Sequence, residues 1–151
     1  MNYFRSLLAF IMLALWTPVG AGAASGPADI KIDDAEAHFS TMKPDMGTIF
    51  MKVRNVGKTE DVLLNAKVDI SGVTAELHDV KNNSMTKVEY ITIPAKSDVV
   101  LKRGGMHIML FNLPVTAKEG LDFIMTLQFE KAGEKKMKVT FYGMGHEMHG
   151  H

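Results

Sequence analysis

The most informative absence in this sequence is cysteine, of which its 151 residues contain none. A disulfide-stapled scaffold, thiol redox chemistry and thiolate metal sites are therefore excluded. A blue-copper electron-transfer centre is excluded for the same reason, because it requires a cysteine thiolate. Any site for a soft metal ion in this chain has to use imidazole and thioether donors.

A strong net charge is also missing. The chain has 17 Lys and Arg residues and 17 Asp and Glu residues, and loss of a leader containing Arg5 leaves 16 basic against 17 acidic residues, a net charge near −1. This balance does not favour nucleic acid or an anionic membrane as a partner. We expect no nucleic-acid binding, and we expect a monomer.

Long apolar runs are confined to the N-terminus. Arg5 precedes ten consecutive apolar residues at 7–16, and small residues that include Ala21-Gly22-Ala23 follow. A membrane-spanning helix needs about 20 apolar residues, so this pattern predicts a secretory signal peptide over residues 1–23, cleaved after about Ala23. We expect the mature chain to be exported, with no later membrane span.

Short strand-like segments separated by turn signals make up the rest of the chain. The clearest is 121–130, where Leu121, Phe123, Met125, Leu127 and Phe129 occupy alternate positions. Such alternation, without an amphipathic helix of three turns, predicts an all-β antiparallel β-sandwich over residues 24–142. Residues 143–151 lack this pattern, and we expect a flexible tail. The other predicted strands are 29–32, 35–39, 48–55, 61–69, 73–80, 85–93, 99–102, 107–112 and 135–142.

The predicted strand at 107–112 carries an unusual pair of donors. Side chains at positions i and i+2 of a strand point to the same face, so we expect His107 and Met109 side by side and Ile108 facing the core. Gly104 and Gly105, just before this strand, favour a tight turn. An imidazole beside a thioether is a soft, neutral donor set of the kind that selects Cu(I).

Two residues of the same chemistry lie on neighbouring predicted strands. His78 lies near the end of strand 73–80, and Met85 opens the next strand beyond a polar turn at 81–84. If the two strands form a hairpin, these side chains lie near the same end of it and can converge with His107 and Met109. Two imidazoles and two thioethers satisfy a d¹⁰ Cu(I) ion, and the lack of a carboxylate favours Cu(I) over Zn²⁺.

The spacing of these residues resembles the signature of the periplasmic copper chaperones of the PCu(A)C type. That signature is a His, about ten residues, a Met, twenty-one residues, then His-x-Met, and here 21 residues separate Met85 from His107-Ile108-Met109. The flanks match too: Ala75-Glu76-Leu77-His78 resembles V-E-L-H, and RGGMHIML at 103–110 resembles G-G-x-H-x-M-L. The resemblance covers residues 48–141.

This resemblance implies a cupredoxin-like, Greek-key β-sandwich that carries Cu(I) in the periplasm through His78, Met85, His107 and Met109. It also implies delivery to a membrane cuproenzyme, such as the copper site of a respiratory oxidase, or to an assembly factor. One departure is that six residues, not about ten, separate His78 from Met85. The shorter loop either keeps both ligands or displaces Met85 and leaves a three-ligand site.

The predicted tail is itself rich in metal-binding side chains. Histidine-rich tracts are typical of metal binding, and imidazoles suit Cu(II), so we expect a looser, auxiliary site for Cu(II) or Cu(I). The alternative is a passive tail. The candidate ligands are Met144, His146, Met148, His149 and His151.

The remaining methionines and His38 are expected to have structural roles. Met42 and Met46 flank a loop proline, where loop packing is expected ahead of a role as accessory thioethers. His38 has no partner in the motif and is expected at the surface. Met106 is expected to be a lid or core residue. The methionines expected in the core are Met51, Met125 and Met137.

Three other functions are compared with the Cu(I) carrier. A copper-dependent enzyme is not expected, because no Ser/His/Asp or paired-carboxylate arrangement stands out and the donor set is poor in imidazole. A periplasmic copper buffer or resistance protein would depend mainly on the tail and would have no dedicated recipient. A plain β-sandwich interaction module would fold without metal and bind no copper.

Overall fold

The computed structural model describes residues 27–143. The predicted signal peptide over residues 1–23 lies outside this range. The predicted auxiliary ligands also lie outside it, namely Met144, His146, Met148, His149 and His151. Within 27–143 all regular secondary structure is β-strand, and that part of the chain has no helix long and apolar enough to cross a membrane.

Ten strands follow one another between residues 27 and 143, which confirms the predicted all-β fold in a single domain. The predicted division into strands differs from the observed one at two places, as described below. The strands are β1 (Ile30–Phe39), β2 (Met46–Asn55), β3 (Asp61–Val68), β4 (Thr74–Lys81), β5 (Ser84–Lys87), β6 (Ile91–Ile93), β7 (Ser97–Leu101), β8 (His107–Phe111), β9 (Asp122–Phe129) and β10 (Gly133–Tyr142).

The strands form one continuous sheet in the order β5-β4-β8-β2-β1-β10-β9-β3-β6, with β7 beside the second half of β2. The sheet is curled, because β5 and β6 lie at opposite ends of this order and yet only residues 88–90 join them. A connection of that length spans at most about 14 Å. The two ends of the sheet therefore come close together, and the strands enclose a common interior.

Among the described strands, one pair departs from the predicted antiparallel arrangement. β1 and β10 run parallel, with Ala37 opposite Phe141, whereas every other ladder is antiparallel. Parallel neighbours need a long connection. Here nearly the whole described chain lies between the two strands and provides it.

The core is formed by the inward-facing residues of both halves of the curled sheet. The alternation predicted for β9 is confirmed, since Phe123, Met125, Leu127 and Phe129 are all buried. Met51 is buried as predicted, and Met106 and Met137 are partly buried against the same core. Full burial of a side chain of this size contributes about 1.5–3 kcal/mol, so this cluster is the main source of stability.

At two places the division of the chain into strands differs from the sequence prediction by more than the shift of a boundary. The segments predicted at 29–32 and 35–39 are one strand, β1, whose register shifts between Asp33 and Glu36. Asp34 has a φ of 53°, so the break in alternation is a β-bulge and not a turn. The segment predicted at 85–93 is two short strands, because its first part, β5, pairs with β4 and its last three residues, β6, pair with β3.

Candidate metal centre

A tight hairpin between β4 and β5 determines where Met85 stands relative to His78. Its tip residues, Asn82 and Asn83, have φ values of 51° and 60°, as a two-residue hairpin turn with both residues left-handed requires. The resulting register places Met85 opposite Val80. Met85 and His78 therefore share one face of the hairpin as diagonal neighbours, a relation in which residues lie about 7–8 Å apart.

The pairing of β4 with β8 brings the two motif histidines together. His78 lies directly opposite His107, and their ring centroids are 5.7 Å apart with an interplanar angle of 36°. Met109 lies one step along the same face, opposite Glu76. Three of the four predicted ligands thus come from two adjacent strands, and their arrangement depends on backbone pairing and not on a loop.

A cavity of about 570 Å³ opens over this face, and His107, Met109 and Met85 line it. His78 is not a lining residue, but its ring is adjacent to that of His107. The floor of the cavity is buried, since His107 is 3% exposed and Met109 is 7% exposed, whereas Met85 at the rim is 60% exposed. The floor is buried because β8 is an interior strand between β4 and β2.

His107 is held in an orientation that leaves one ring nitrogen available. Its Nδ1–H donates to the carbonyl oxygen of Gly105 at 2.8 Å. In the neutral ring the lone pair is then on Nε2. This Nε2 is buried and has no hydrogen-bond partner in the described part of the chain, a condition that costs about 1–3 kcal/mol when nothing binds there.

His78 also has one ring nitrogen in a hydrogen bond and one without a partner, but the two nitrogens are exchanged relative to His107. Its Nε2–H donates to the carboxylate of Glu76 at 3.2 Å, and its Nδ1 is buried without a hydrogen-bond partner among residues 27–143. A carboxylate that accepts from one ring nitrogen while the other carries a lone pair is a common support for a metal-binding histidine. The two imidazoles thus present one unpartnered nitrogen each.

Glu76 and Lys87 support the site and were not singled out from the sequence. The Lys87 ammonium donates to Glu76 at 2.8 Å, and this hydrogen bond, followed by that from His78, holds the pKa of the Glu76 carboxyl below its ordinary value. The carboxylate is therefore ionised at neutral pH and can orient His78. The sequence did hold a sign of this supporting role, because Glu76 lies two residues before His78 and so shares its face of the strand.

The donor set consists of imidazoles and thioethers. Among residues 27–143, no group of three or more His, Cys, Asp or Glu side chains is placed to hold a metal ion. The two histidines are accompanied instead by Met109 on the floor of the cavity and Met85 on its rim. Such a set of soft, uncharged donors fits a monovalent soft ion.

Two residues outside the motif also line the cavity, and both differ from prediction. His38 was expected at the surface but is 8% exposed, because β1 is an interior strand flanked by β2 and β10. Its Nε2 lies 3.5 Å from Oε2 of Glu36, and its ring contacts Phe50. Met42 was expected to pack within its loop but is 90% exposed.

Comparisons with known proteins agree with this fold. A family model described as "Putative lipoprotein LpqE-like" matches residues 30–141. The chain is similar to the apo PCuAC domain from PmoF1, with 25% identity, a TM-score of 0.67, and coverage of 79% of this chain and 98% of that one. A search of curated protein sequences gives no significant match.

Two metal-loaded structures show the same similarity. The copper-bound PCuAC domain from PmoF2 has 23% identity, a TM-score of 0.64, and coverage of 79% of this chain and 97% of that one. The Cu(I) form of DR1885 from Deinococcus radiodurans has 22% identity, a TM-score of 0.56, and coverage of 83% of this chain and 82% of that one. The fold is that of a PCuAC domain, which confirms the fold class that the sequence resemblance implied.

Proposed function

Because the chain belongs to the LpqE-like family, we propose that it is a copper carrier that binds Cu(I) in the cavity over β4 and β8. One observation carries this proposal: Nδ1 of His78 and Nε2 of His107 are buried on adjacent strands and have no hydrogen-bond partner among residues 27–143. A Cu(I) ion bound by both would remove the cost of leaving them unsatisfied. The metal-loaded forms of two similar structures support the choice of copper.

The four proposed ligands have different roles. His78, His107 and Met109 form an inner set held by strand pairing, in which the His78 side chain is 12% exposed, and Met85 reaches in from the rim as the fourth, exchangeable ligand. The short connection between His78 and Met85 supports this division, since the hairpin register leaves Met85 diagonal to His78 and exposed. A site with a rigid floor and one accessible thioether suits an ion that has to be passed on.

Transfer by ligand exchange follows from the chemistry of the donors. Thioethers are neutral and individually weak ligands, so the thiolates or imidazoles of a recipient could displace them stepwise. We propose a membrane cuproenzyme such as a respiratory oxidase, or its assembly factor, as the recipient. The protein would act as a periplasmic monomer after removal of residues 1–23. We propose no enzymatic role, because an ion that stays Cu(I) in the cavity and is passed on unchanged undergoes no reaction there.

The C-terminal segment would have an auxiliary role. We propose that Met144, His146, Met148, His149 and His151 bind Cu(II) or Cu(I) more loosely than the cavity does and raise the local copper concentration. If this segment were instead the main copper-binding element, the protein would be a buffer or resistance protein without a dedicated recipient.

An anaerobic Cu(I) competition titration on protein that ends at Tyr142 separates these functions. We expect one tight equivalent of Cu(I), lost in a His107→Gln/Met109→Leu variant whose shape is nearly conserved. Far-UV and near-UV circular dichroism of the variant provides the folding control. Absence of tight binding in the shortened wild-type protein would contradict the carrier site and support the buffer function.

A further inference from the structure

Met42 stands on an ordered loop between β1 and β2, and its side chain is 90% exposed. The hydroxyl oxygen of Ser40 accepts hydrogen bonds from the backbone N–H groups of Met42 and Lys43, both at 3.2 Å. The loop is closed by a hydrogen bond from the N–H of Ser40 to the carbonyl of Met46 at 2.9 Å. The backbone is therefore held in a shape that turns Met42 outward.

Packing does not explain a methionine at this position. A side chain that stays in water contributes almost no hydrophobic stabilisation, because that contribution scales with the apolar area removed from water. The neighbouring loop residues Ser40, Thr41 and Lys43 are polar, as is usual for an exposed loop. Among residues 27–143, the thioether of Met42 therefore has no core contact that would account for it.

Met42 lines the same cavity as Met85, His107 and Met109. In the strand order, β4 and β8 lie between β5, which carries Met85, and the pair β2 and β1, whose connecting loop carries Met42. The two exposed thioethers thus flank the buried histidines from opposite sides. They are the two most exposed methionines between residues 27 and 143.

The burial of the floor restricts how copper can arrive. His107 is 3% exposed and Met109 is 7% exposed, so both residues offer a copper-bearing partner very little surface to contact. Ligand exchange requires that an incoming donor bind the ion before the outgoing donor leaves it. The first contact therefore has to be made by an exposed soft donor on the rim of the cavity.

We propose that Met42 is the capture ligand of the copper site, a role that rests on the copper-carrier function proposed above. A sulfur lone pair of Met42 forms a bond to Cu(I) as one bond from the ion to its donor breaks. The ion then moves to Met85 and the floor ligands, and the bond to Met42 breaks. The oxidation state does not change, and the thioether of Met42 has no proton to release. Met42 acts during loading and unloading and is not a ligand of the loaded state.

The test is a comparison of Met42→Leu with a matched Met46→Leu control, both in the full chain. Met46 begins β2 at the other end of the same loop, and it does not line the cavity. The probe is Cu(I) supplied anaerobically as a coloured bis-chelate complex. Stopped-flow absorbance gives the loading and unloading rates, and competition titration gives the dissociation constant.

We expect Met42→Leu to slow loading and unloading by the same factor, about tenfold, and to leave the dissociation constant within about threefold. A residue that contacts the ion only during transfer leaves the dissociation constant unchanged. Since that constant is the ratio of the unloading and loading rates, both rates must change by the same factor. Met46→Leu should match the wild type, and Met42→His, which restores a donor, should recover part of the rate.

Two results would overturn the capture role while leaving the carrier function intact. One is a Met42→Leu variant that loads at the wild-type rate. The other is a loss of affinity greater than about tenfold, which would make Met42 a ligand of the loaded state. If the wild-type chain itself bound no Cu(I) tightly, both the carrier function and the capture role would fail, and this outcome is distinguishable from the first two.

Discussion

His78 and His107 lie directly opposite one another on β4 and β8, with their ring centroids 5.7 Å apart. Each ring donates one N–H to a fixed acceptor, the Glu76 carboxylate or the Gly105 carbonyl. Each keeps its second nitrogen buried and unpartnered within the described part of the chain. This pairing links the stability of the protein to the proposed copper binding, because the two ring nitrogens proposed as ligands are costly to bury without a partner.

Replacement of His107 by Leu should separate stability from copper binding. Without metal, we expect the free energy of unfolding to change by no more than about 1 kcal/mol, since an unsatisfied buried nitrogen is removed together with one hydrogen bond. Tight Cu(I) binding should be lost. Urea unfolding of the metal-free protein and Cu(I) competition titration measure the two effects.

Ile108→Ala is the matched control for this prediction, because Ile108 is buried on the core side of the same strand. It should lower the free energy of unfolding by about 2–5 kcal/mol and leave the Cu(I) affinity of the folded protein unchanged. If His107→Leu destabilised the protein as much as this control, the idea of a destabilising metal-free site would be wrong.

Replacement of Met85 by Leu tests the fourth ligand. Because Met85 is largely exposed, the free energy of unfolding should change by less than about 0.5 kcal/mol. Cu(I) affinity should fall about tenfold, and X-ray absorption of the loaded protein should show one sulfur ligand fewer. Unchanged affinity and sulfur count would establish a site formed by His78, His107 and Met109 alone.

Glu76→Gln should weaken copper binding without touching a ligand. The carboxylate orients the His78 ring and makes it a better donor, and loss of such support lowers metal affinity about 10–100-fold. Asp79→Asn, on the opposite face of the same strand, is the control and should bind as the wild type does. Competition titration at pH 7 measures the Cu(I) affinity of both variants. Equal affinities would show that the Glu76 carboxylate does not support the site.

The acid sensitivity of the fold should depend partly on Asp122. The Thr140 hydroxyl, which donates at 2.6 Å, and then the Lys138 ammonium lower the pKa of the Asp122 carboxyl. A lowered pKa in the folded state stabilises the protein above the ordinary pKa of an aspartate, and this contribution is lost as the pH falls through the folded-state value.

Asp122→Asn should therefore be slightly less stable than the wild type at pH 7, and the difference should shrink as the pH falls through the lowered folded-state pKa of Asp122. Urea unfolding at a series of pH values measures it. A difference between the two proteins that did not depend on pH would show that the charge on Asp122 is not the cause. Cu(I) affinity at pH 7 should be the same in both.

Much of the local structure could be predicted from the sequence, because it depends on neighbouring residues. Alternation with a period of two placed the apolar face of β9 in the core, and the same period placed His107 and Met109 on one face of β8. The polar turn at 81–84 predicted the hairpin that carries His78 and Met85. The absence of cysteine limited a soft metal site to imidazole and thioether donors.

Burial and strand neighbours were decided by the tertiary structure. His38 and Met42 were assigned to the wrong environments, since neither the pairing of β1 with β10 nor the cavity beside the β1–β2 loop leaves a signal in the nearby sequence. The position of His78 opposite His107 depends on the pairing of strands that are far apart in the chain.

The sequence by itself therefore determined the available donor chemistry: a cysteine-free chain of short strands, with histidines and methionines whose spacing resembles a copper motif. The tertiary structure alone decided which donors are buried, which ring nitrogens are unpartnered and which thioethers remain exposed. The physical reason is that donor chemistry and strand period are local properties of the chain. Burial and hydrogen-bond satisfaction depend instead on which distant strands pair.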